Sequence, residues 1–134
     1  MRLGLIGKNL KYSYSSIVHK EFGYDYDLRE IQPDELEDFV KSGEYEGFNV
    51  TIPYKKEIIK YLDELSPIAK RLNAVNTVVK EGSRLVGYNT DYYGMQYMLD
   101  RANIDLLGKK VLILGNGGTS NTAVEIAKDK CAKD

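Results

Sequence analysis

The segment from Lys110 to Ala123, KVLILGNGGTSNTA, constrains the fold more than any other part of this chain. Lys110 to Leu114 is apolar on both faces, the pattern of a strand buried within a parallel sheet. It runs into Gly115-Asn116-Gly117-Gly118 and then into a helix predicted from about Thr119 to Lys128. A tight turn after a buried strand needs Gly115, and Gly117 lets the backbone come close to a pyrophosphate. The helix that follows aims free N–H groups and its positive dipole end at that anion. Ser120 takes the place of the third glycine and is small enough for close helix–strand packing. The plainer alternative is an ordinary strand–helix turn that uses glycine for geometry alone. The position between strand and helix favours the nucleotide reading. The acidic ribose ligand of such folds lies ~20 residues beyond the first glycines, past Asp134, so NAD and NADP are not distinguished by these residues.

Upstream, short apolar runs alternate with helical patterns. Arg2 to Gly7 reads as a buried strand, and Tyr24 to Ile31 and Gly47 to Ile52 as two more, the last stopped by Pro53. A helix follows Ser13 and Ser15, with Ile17, Val18 and Phe22 on one face and Gly23 as its stop signal. Pro33 opens another, with Asp34, Glu35 and Glu37 at the end the dipole favours, an apolar face of Leu36, Phe39 and Val40, and a stop at Gly43. Lys55 to Leu62 and Ser66 to Leu72 read as short helices. Ala74 to Val79 and Leu85 to Tyr88 read as a hairpin turning at Glu81-Gly82-Ser83. Asp91 to Ala102 reads as an amphipathic helix with Tyr93, Tyr97 and Met98 on one side. The order predicts an α/β fold: a mixed-sheet domain over residues 1–102, then a linker and a βα unit over 103–134, with the boundary near Asn103 to Lys109.

Composition narrows the class. Hydrophobic residues make up 43% and charged residues 29% of 134, enough for a buried core. The net charge of −1 comes with no basic cluster of the size nucleic acid requires. No apolar stretch approaches the ~20 residues of a membrane span, and Met1 to Gly7 lacks the regions of a signal peptide. The reading is a cytoplasmic protein without nucleic-acid or membrane partners. The single Cys131 has neither a disulfide partner nor a second thiolate to share a metal with.

Three polar motifs carry chemistry. In Tyr12-Ser13-Tyr14-Ser15-Ser16-Ile17-Val18-His19, two hydroxyls at a helix start can hold a carboxylate with help from the helix N–H groups; a plain N-cap by Ser13 or Ser15 is the alternative. His19 by itself reads as a structural or surface histidine. In Asn49-Val50-Thr51-Ile52-Pro53-Tyr54-Lys55, polar groups end a buried strand, where α/β domains bind ligands. The third motif joins Asn73-Ala74-Val75-Asn76-Thr77 with Gly87-Tyr88-Asn89-Thr90-Asp91, in which Asp91 also suits a helix cap.

In this order, and followed by the glycine turn, these motifs make the chain resemble the shikimate dehydrogenase family. The resemblance runs through essentially the whole chain. It rests on the serine pair (the family's H-S-x-S-P-x-x-H region), NVTIPYK, NAVNTV, GYNTDYYG and LGNGGTSNTA. It implies a mixed-sheet substrate-binding domain followed by a truncated Rossmann-like βα unit. It also implies reversible, NADP-dependent reduction of 3-dehydroshikimate to shikimate, a step of aromatic amino acid biosynthesis. By matching positions, Ser13 and Ser15 would bind the substrate carboxylate, and Thr51, Asn76 and Asp91 the ring hydroxyls. Lys55 and Asp91 would form the catalytic pair, with Lys56 offset by one position. Gly115, Asn116, Gly117, Gly118 and Thr119 would hold the cofactor.

The chain departs from the family where Asn9 and Ser16 replace prolines and Tyr12 replaces a histidine, changes that bear on loop stiffness more than on ligand chemistry. Family members are about twice as long. They add the rest of the nucleotide domain and a returning C-terminal segment that contributes a glutamine, so this stretch alone is expected to be inactive. The other readings are a quinate-type paralogue and a non-catalytic small-molecule-binding domain. An apolar strand without neighbours is a template for association, so the segment after Gly108 is expected to pack, by its strand or its helix, against another copy of the chain.

Overall fold

A computed structural model describes residues 1–10, 13–117 and 119–133. The chain divides into two compact units, Met1–Tyr88 and Asn89–Asp134, so that the helix over 90–101 groups with the C-terminal segment.

The first unit is built on strands β1 (Leu3–Gly7), β2 (Tyr26–Glu30), β3 (Gly47–Val50), β4 (Glu64–Leu65), β5 (Thr77–Glu81) and β6 (Arg84–Tyr88). They form one sheet in the order β2-β1-β3-β5-β6-β4. β1 pairs in parallel with β2 and β3, whereas β5 runs antiparallel to β3 and to β6. The mixed sheet expected from the strand–helix alternation plus one hairpin is therefore present. The hairpin turns at Gly82, whose φ of 64° lies in the left-handed region that only glycine enters readily. β4, a two-residue strand pairing with β6, has no sequence signal of its own.

Alternation along the strands decides which face is apolar. Ile6, Phe48, Val50 and Val78 share one face and pack with Leu36 and Val40 of helix α2 (Leu36–Ser42), Ile58 and Ala69. Ile58 lies in a 3-10 segment, Glu57–Tyr61, shorter than the helix read from Lys55 to Leu62. Ala69 belongs to α3 (Pro67–Leu72), opened by Ser66 as N-cap and Pro67 in its first turn, as the sequence indicates. Pro33 begins a 3-10 turn, Pro33–Glu35, that leads into α2.

Helix α1 spans Tyr14–Glu21. Ile17, Val18 and Phe22 do share a side, but they are 49%, 48% and 72% exposed, and α1 buries none of its residues. Helical spacing reports which residues face together; it does not say whether another element covers them.

Within the core, Tyr54 is 1% exposed, and its hydroxyl donates to the Ile31 carbonyl at 2.6 Å. This anchors the turn between β3 and the 3-10 segment to the end of β2. Tyr54→Phe is expected to lower unfolding free energy by about 1 kcal/mol through the orphaned carbonyl. Tyr54→Ala should lower it by about 3–5 kcal/mol through the cavity. Urea denaturation separates the two; equal losses would mean that the ring contributes nothing to holding the turn.

Candidate functional site

At the C-terminal ends of β1 and β3, the first unit gathers three of the residues singled out in the sequence. The Thr51 amide donates to the Ile6 carbonyl at 2.9 Å, and the Val50 amide to the Asn76 carbonyl at 2.9 Å. The Val75 amide donates to the Lys55 carbonyl at 2.8 Å. Backbone bonds thus hold Thr51, Lys55 and Asn76 on adjoining segments, with a cis Ile52–Pro53 peptide in the intervening turn. Gly7 makes this possible: a Cβ there would lie 2.5 Å from Thr51 Cγ2 and 2.9 Å from Leu10 Cδ2. Lys55 is half-buried, whereas its neighbour Lys56 is exposed, so the two adjacent lysines occupy different environments. Asn76 is buried at 8% exposure.

The serine pair starts α1. Ser13 is its N-cap, and the Ser13 hydroxyl oxygen accepts from the Ser15 amide at 3.1 Å. The plain-cap reading therefore holds for Ser13, and it leaves the Ser15 hydroxyl for other bonds. His19 Nδ1 lies 2.8 Å from the Ser15 carbonyl; a carbonyl only accepts, so Nδ1 carries the proton. The His19 ring stacks on Tyr26 of β2, centroids 4.0 Å apart and planes 19° apart. Tyr26 donates its single proton to Asn49 Oδ1 at 2.6 Å and also bonds the Ser15 side chain, which must then be the donor.

From Asn49 the network continues in one direction. Asn49 Nδ2 donates to Thr77 Oγ1 at 3.0 Å and to the Asn76 carbonyl at 3.3 Å, and Thr77 Oγ1 donates to Asn76 Oδ1 at 3.1 Å. Ser15 and Asn76, far apart in sequence, are thus the two ends of one polar chain across β2, β3 and β5. A cavity of about 150 Å³ adjoins it, lined by Leu3, His19, Tyr26, Asn49, Thr77 and Val79 among others.

The second unit carries the remaining candidates. Helix α4 (Thr90–Arg101) is capped by Asn89, whose Oδ1 accepts from the Tyr92 amide at 3.4 Å, so Asp91 lies in the first turn without being the cap. Tyr93, Tyr97 and Met98 are 57%, 62% and 69% exposed, and the buried aromatic of α4 is Tyr92 instead. The Tyr92 hydroxyl donates to Asp129 at the end of α5 (Ser120–Asp129) and accepts from Gln96 Nε2 at 3.1 Å, tying α4 to α5.

The glycine turn precedes α5 as expected. Gly115 has φ of 110°, and an added Cβ at Gly115 or Gly117 meets nothing within 4 Å. The Gly117 carbonyl accepts from the Ser120 amide at 3.0 Å, while Thr119, the N-cap, makes no side-chain capping bond. Gly118 lies outside the described residues. The strand expected from Lys110 to Leu114 is not formed. Its one ladder contact is an isolated parallel bridge from Lys110 to Lys133, and Leu112 and Leu114 are 82% and 87% exposed. A strand exists only through its neighbours' hydrogen bonds, and no other described segment of the unit runs beside it.

With this geometry in place, comparison with known proteins is decisive for the family. Residues 5–78 match the model of the shikimate dehydrogenase substrate binding domain. The chain belongs to that family. A curated relative from Caldicellulosiruptor saccharolyticus, a shikimate dehydrogenase (NADP(+)), is 41% identical over 92% of this chain and 48% of its own length. The crystal structure of shikimate dehydrogenase 1 from Peptoclostridium difficile superposes with a TM-score of 0.89 at 40% identity, covering 98% of this chain and 52% of that one. The Thermus thermophilus shikimate 5-dehydrogenase, solved in complex with NADP(H) and shikimate, gives a TM-score of 0.88 at 29% identity over 98% of this chain and 53% of that one. The chain spans about half the length of the relatives it matches.

Three members of the polar chain, Tyr26, Asn49 and Thr77, were not among the site residues drawn from sequence. The signal for Asn49 is its place inside GFNV, where a polar side chain alternates with two core residues and so lies on the opposite face of the sheet. Tyr26 has no such mark, because its partners come from other strands. Burial pushes its phenol up to about 12, against the Ser15 bond, which draws it down. Its neutral-phenol contribution to stability is therefore complete below about pH 10 and is lost as pH rises through about 12. In an ultraviolet titration, the phenolate signal that disappears in Tyr26→Phe should have its midpoint at about 12. A midpoint near that of free tyrosine would contradict the buried placement.

Proposed function

We propose that residues 1–102 are the shikimate-binding domain, and residues 103–134 the linker and first βα unit of the NADP-binding domain, of an NADP-dependent shikimate dehydrogenase. The observation that carries this reading is the directed hydrogen-bond chain from Ser15 to Asn76. It ties the serine helix to the strand ends bearing Thr51 and Lys55, within the span that matches the family.

In this reading Ser13 and Ser15 take the carboxylate of shikimate or 3-dehydroshikimate, the Ser15 hydroxyl turning toward it from Tyr26. Thr51, Asn76 and Asp91 take the ring hydroxyls. Oxidation of the secondary alcohol breaks its C–H and O–H bonds and forms the ketone. The proton leaves the oxygen to the Lys55–Asp91 pair, where a positioned acid–base group typically contributes ~10²–10⁴-fold in rate. Bound NADP supplies the acceptor for the hydride. Gly115, Asn116, Gly117, Gly118 and Thr119 are the residues to hold it: the space around Gly115 and Gly117 is open, and α5 has no acidic residue in its first turn to repel a diphosphate.

The setting we propose is the cytoplasm. No helix among the described residues is long and apolar enough to cross a membrane. Neither nucleic acid nor membrane enters as a partner in this reading.

Shikimate is expected to bind the chain itself, at millimolar affinity, by ligand-observed NMR, with negligible NADP-dependent oxidation because one βα unit does not position a nicotinamide. Lys55→Ala should weaken that binding and Lys56→Ala leave it unchanged. In a chain as long as the relatives, the same pair should differ by ~10²–10⁴-fold in turnover. No binding at tens of millimolar, or equal effects of the two lysines, would refute the assignment.

We also propose that copies of this chain associate through Val111 to Leu114 and α5, because Leu112 and Leu114 are exposed and, among the described residues, the segment has no ladder contact beyond the bridge at Lys110. Light scattering after size exclusion should show mass rising with concentration, and the double substitution Leu112→Lys with Leu114→Lys should remove the rise. A monomer at all concentrations counts against it.

A further inference from the structure

The polarity of the chain between Ser15 and Asn76 is set at one residue. Asn49 bonds Tyr26, the Thr77 hydroxyl and the Asn76 carbonyl. The Asn76 backbone carbonyl only accepts, so Asn49 must turn its Nδ2 toward it and toward Thr77, and its Oδ1 toward Tyr26. Thr77 Oγ1, accepting from Asn49, has its own proton for Asn76 Oδ1 at 3.1 Å. The Asn76 amide is thereby held with its oxygen toward Thr77, and what it offers to further partners is the Nδ2 donor group.

We infer that Asn49 is a positioning residue of the substrate site, fixing through Thr77 which end of the Asn76 amide meets a ligand hydroxyl. This rests on the reading of Asn76 as a ring-hydroxyl ligand. It deepens that reading by giving the site a residue that touches no substrate yet decides the hydrogen-bond sense of one that does. A ring hydroxyl accepting from Asn76 keeps its own proton directed elsewhere in the site. A flipped amide would reverse that direction without moving any atom by more than the exchange of N and O.

Asn49→Asp tests the polarity with almost no change of shape. The introduced carboxylate, when ionised, only accepts, so it draws the Thr77 proton away from Asn76 and removes the bond that holds the amide oxygen toward Thr77. When protonated, the same carboxyl restores the original sense, its carbonyl accepting from Tyr26 and its O–H donating to Thr77. The titratable groups facing position 49 are Tyr26 and His19. Tyr26, pushed up to about 12, stays neutral across the pH range of the test. The ratio of variant to wild-type affinity for shikimate removes the pH dependence of the ligand itself.

The inference expects Asn49→Asp to bind shikimate about tenfold more weakly than wild type at pH 8. The ratio should recover to within about threefold at the low pH at which the introduced carboxyl, followed by NMR in the same variant, is protonated. Weak binding with no recovery at low pH would reduce Asn49 to a structural residue and overturn the inference, as would binding within twofold at every pH. Absence of shikimate binding by the wild-type chain overturns the proposed function as well, which keeps the two failures apart. If Asn49→Asp does not fold, Thr77→Val and Thr77→Ser decide. The inference requires valine to weaken binding several-fold and serine, which keeps the hydroxyl, to retain it; equal binding by the two overturns it.

Discussion

The first unit depends on the two-sided hydrogen-bond ladder of β3. On one side Gly47–Val50 pair in parallel with Leu3–Ile6; on the other, Gly47–Asn49 pair antiparallel with Val79–Thr77. Because side chains alternate along a strand, this register sends Phe48 and Val50 into the core and Asn49 to the opposite face. A slip of one residue would bury the Asn49 carboxamide among apolar side chains and lift the two hydrophobics out. The same ladder ends at Thr51, so the interaction that settles the core also delivers the turn that carries Lys55.

Polar groups on the two sides of the unit meet different surroundings. Arg2 bonds Asp27 at 2.9 Å and Glu44 at 2.9 Å and lies over the Tyr45 ring, but these are exposed groups whose attraction water screens. The Tyr45 hydroxyl and then Arg2 hold the Asp27 carboxyl below its ordinary range. By contrast Asn76 is buried and Tyr26, Asn49 and Thr77 are partly so, and each has its partners in the network. Little water competes there, so a change of hydrogen-bond direction at one member is felt by the next. The exposed ion pairs decorate the fold, while the sheltered network specifies the orientation of side chains at the site.

Much of this is legible along the chain. The apolar run of β1, the strand that stops at Pro53, the Ser66-Pro67 start of α3 and the glycine between β5 and β6 follow from residue type and turn chemistry that act over a few residues. Elsewhere the same reasoning stops short. The apolar sides of α1 and α4 exist as spacing, yet Phe22 and Met98 are open to solvent. Lys110 to Leu114 has the composition of a central strand without being one, because burial and pairing are supplied by other segments and not by the residues themselves.

The residues alone therefore determined most elements of the first unit, β4 excepted, the family motifs and the placement of polar groups at strand ends, since each depends on local periodicity or on residue type at short spacing. Only the tertiary structure decided that Ser15 and Asn76 are ends of one hydrogen-bond chain, that Tyr26 and Asn49 join them, and that Lys55 is sheltered where Lys56 is exposed. These depend on strands distant in sequence meeting in register. A hydrogen bond that requires two separate strands within about 3 Å leaves no pattern in either strand read by itself.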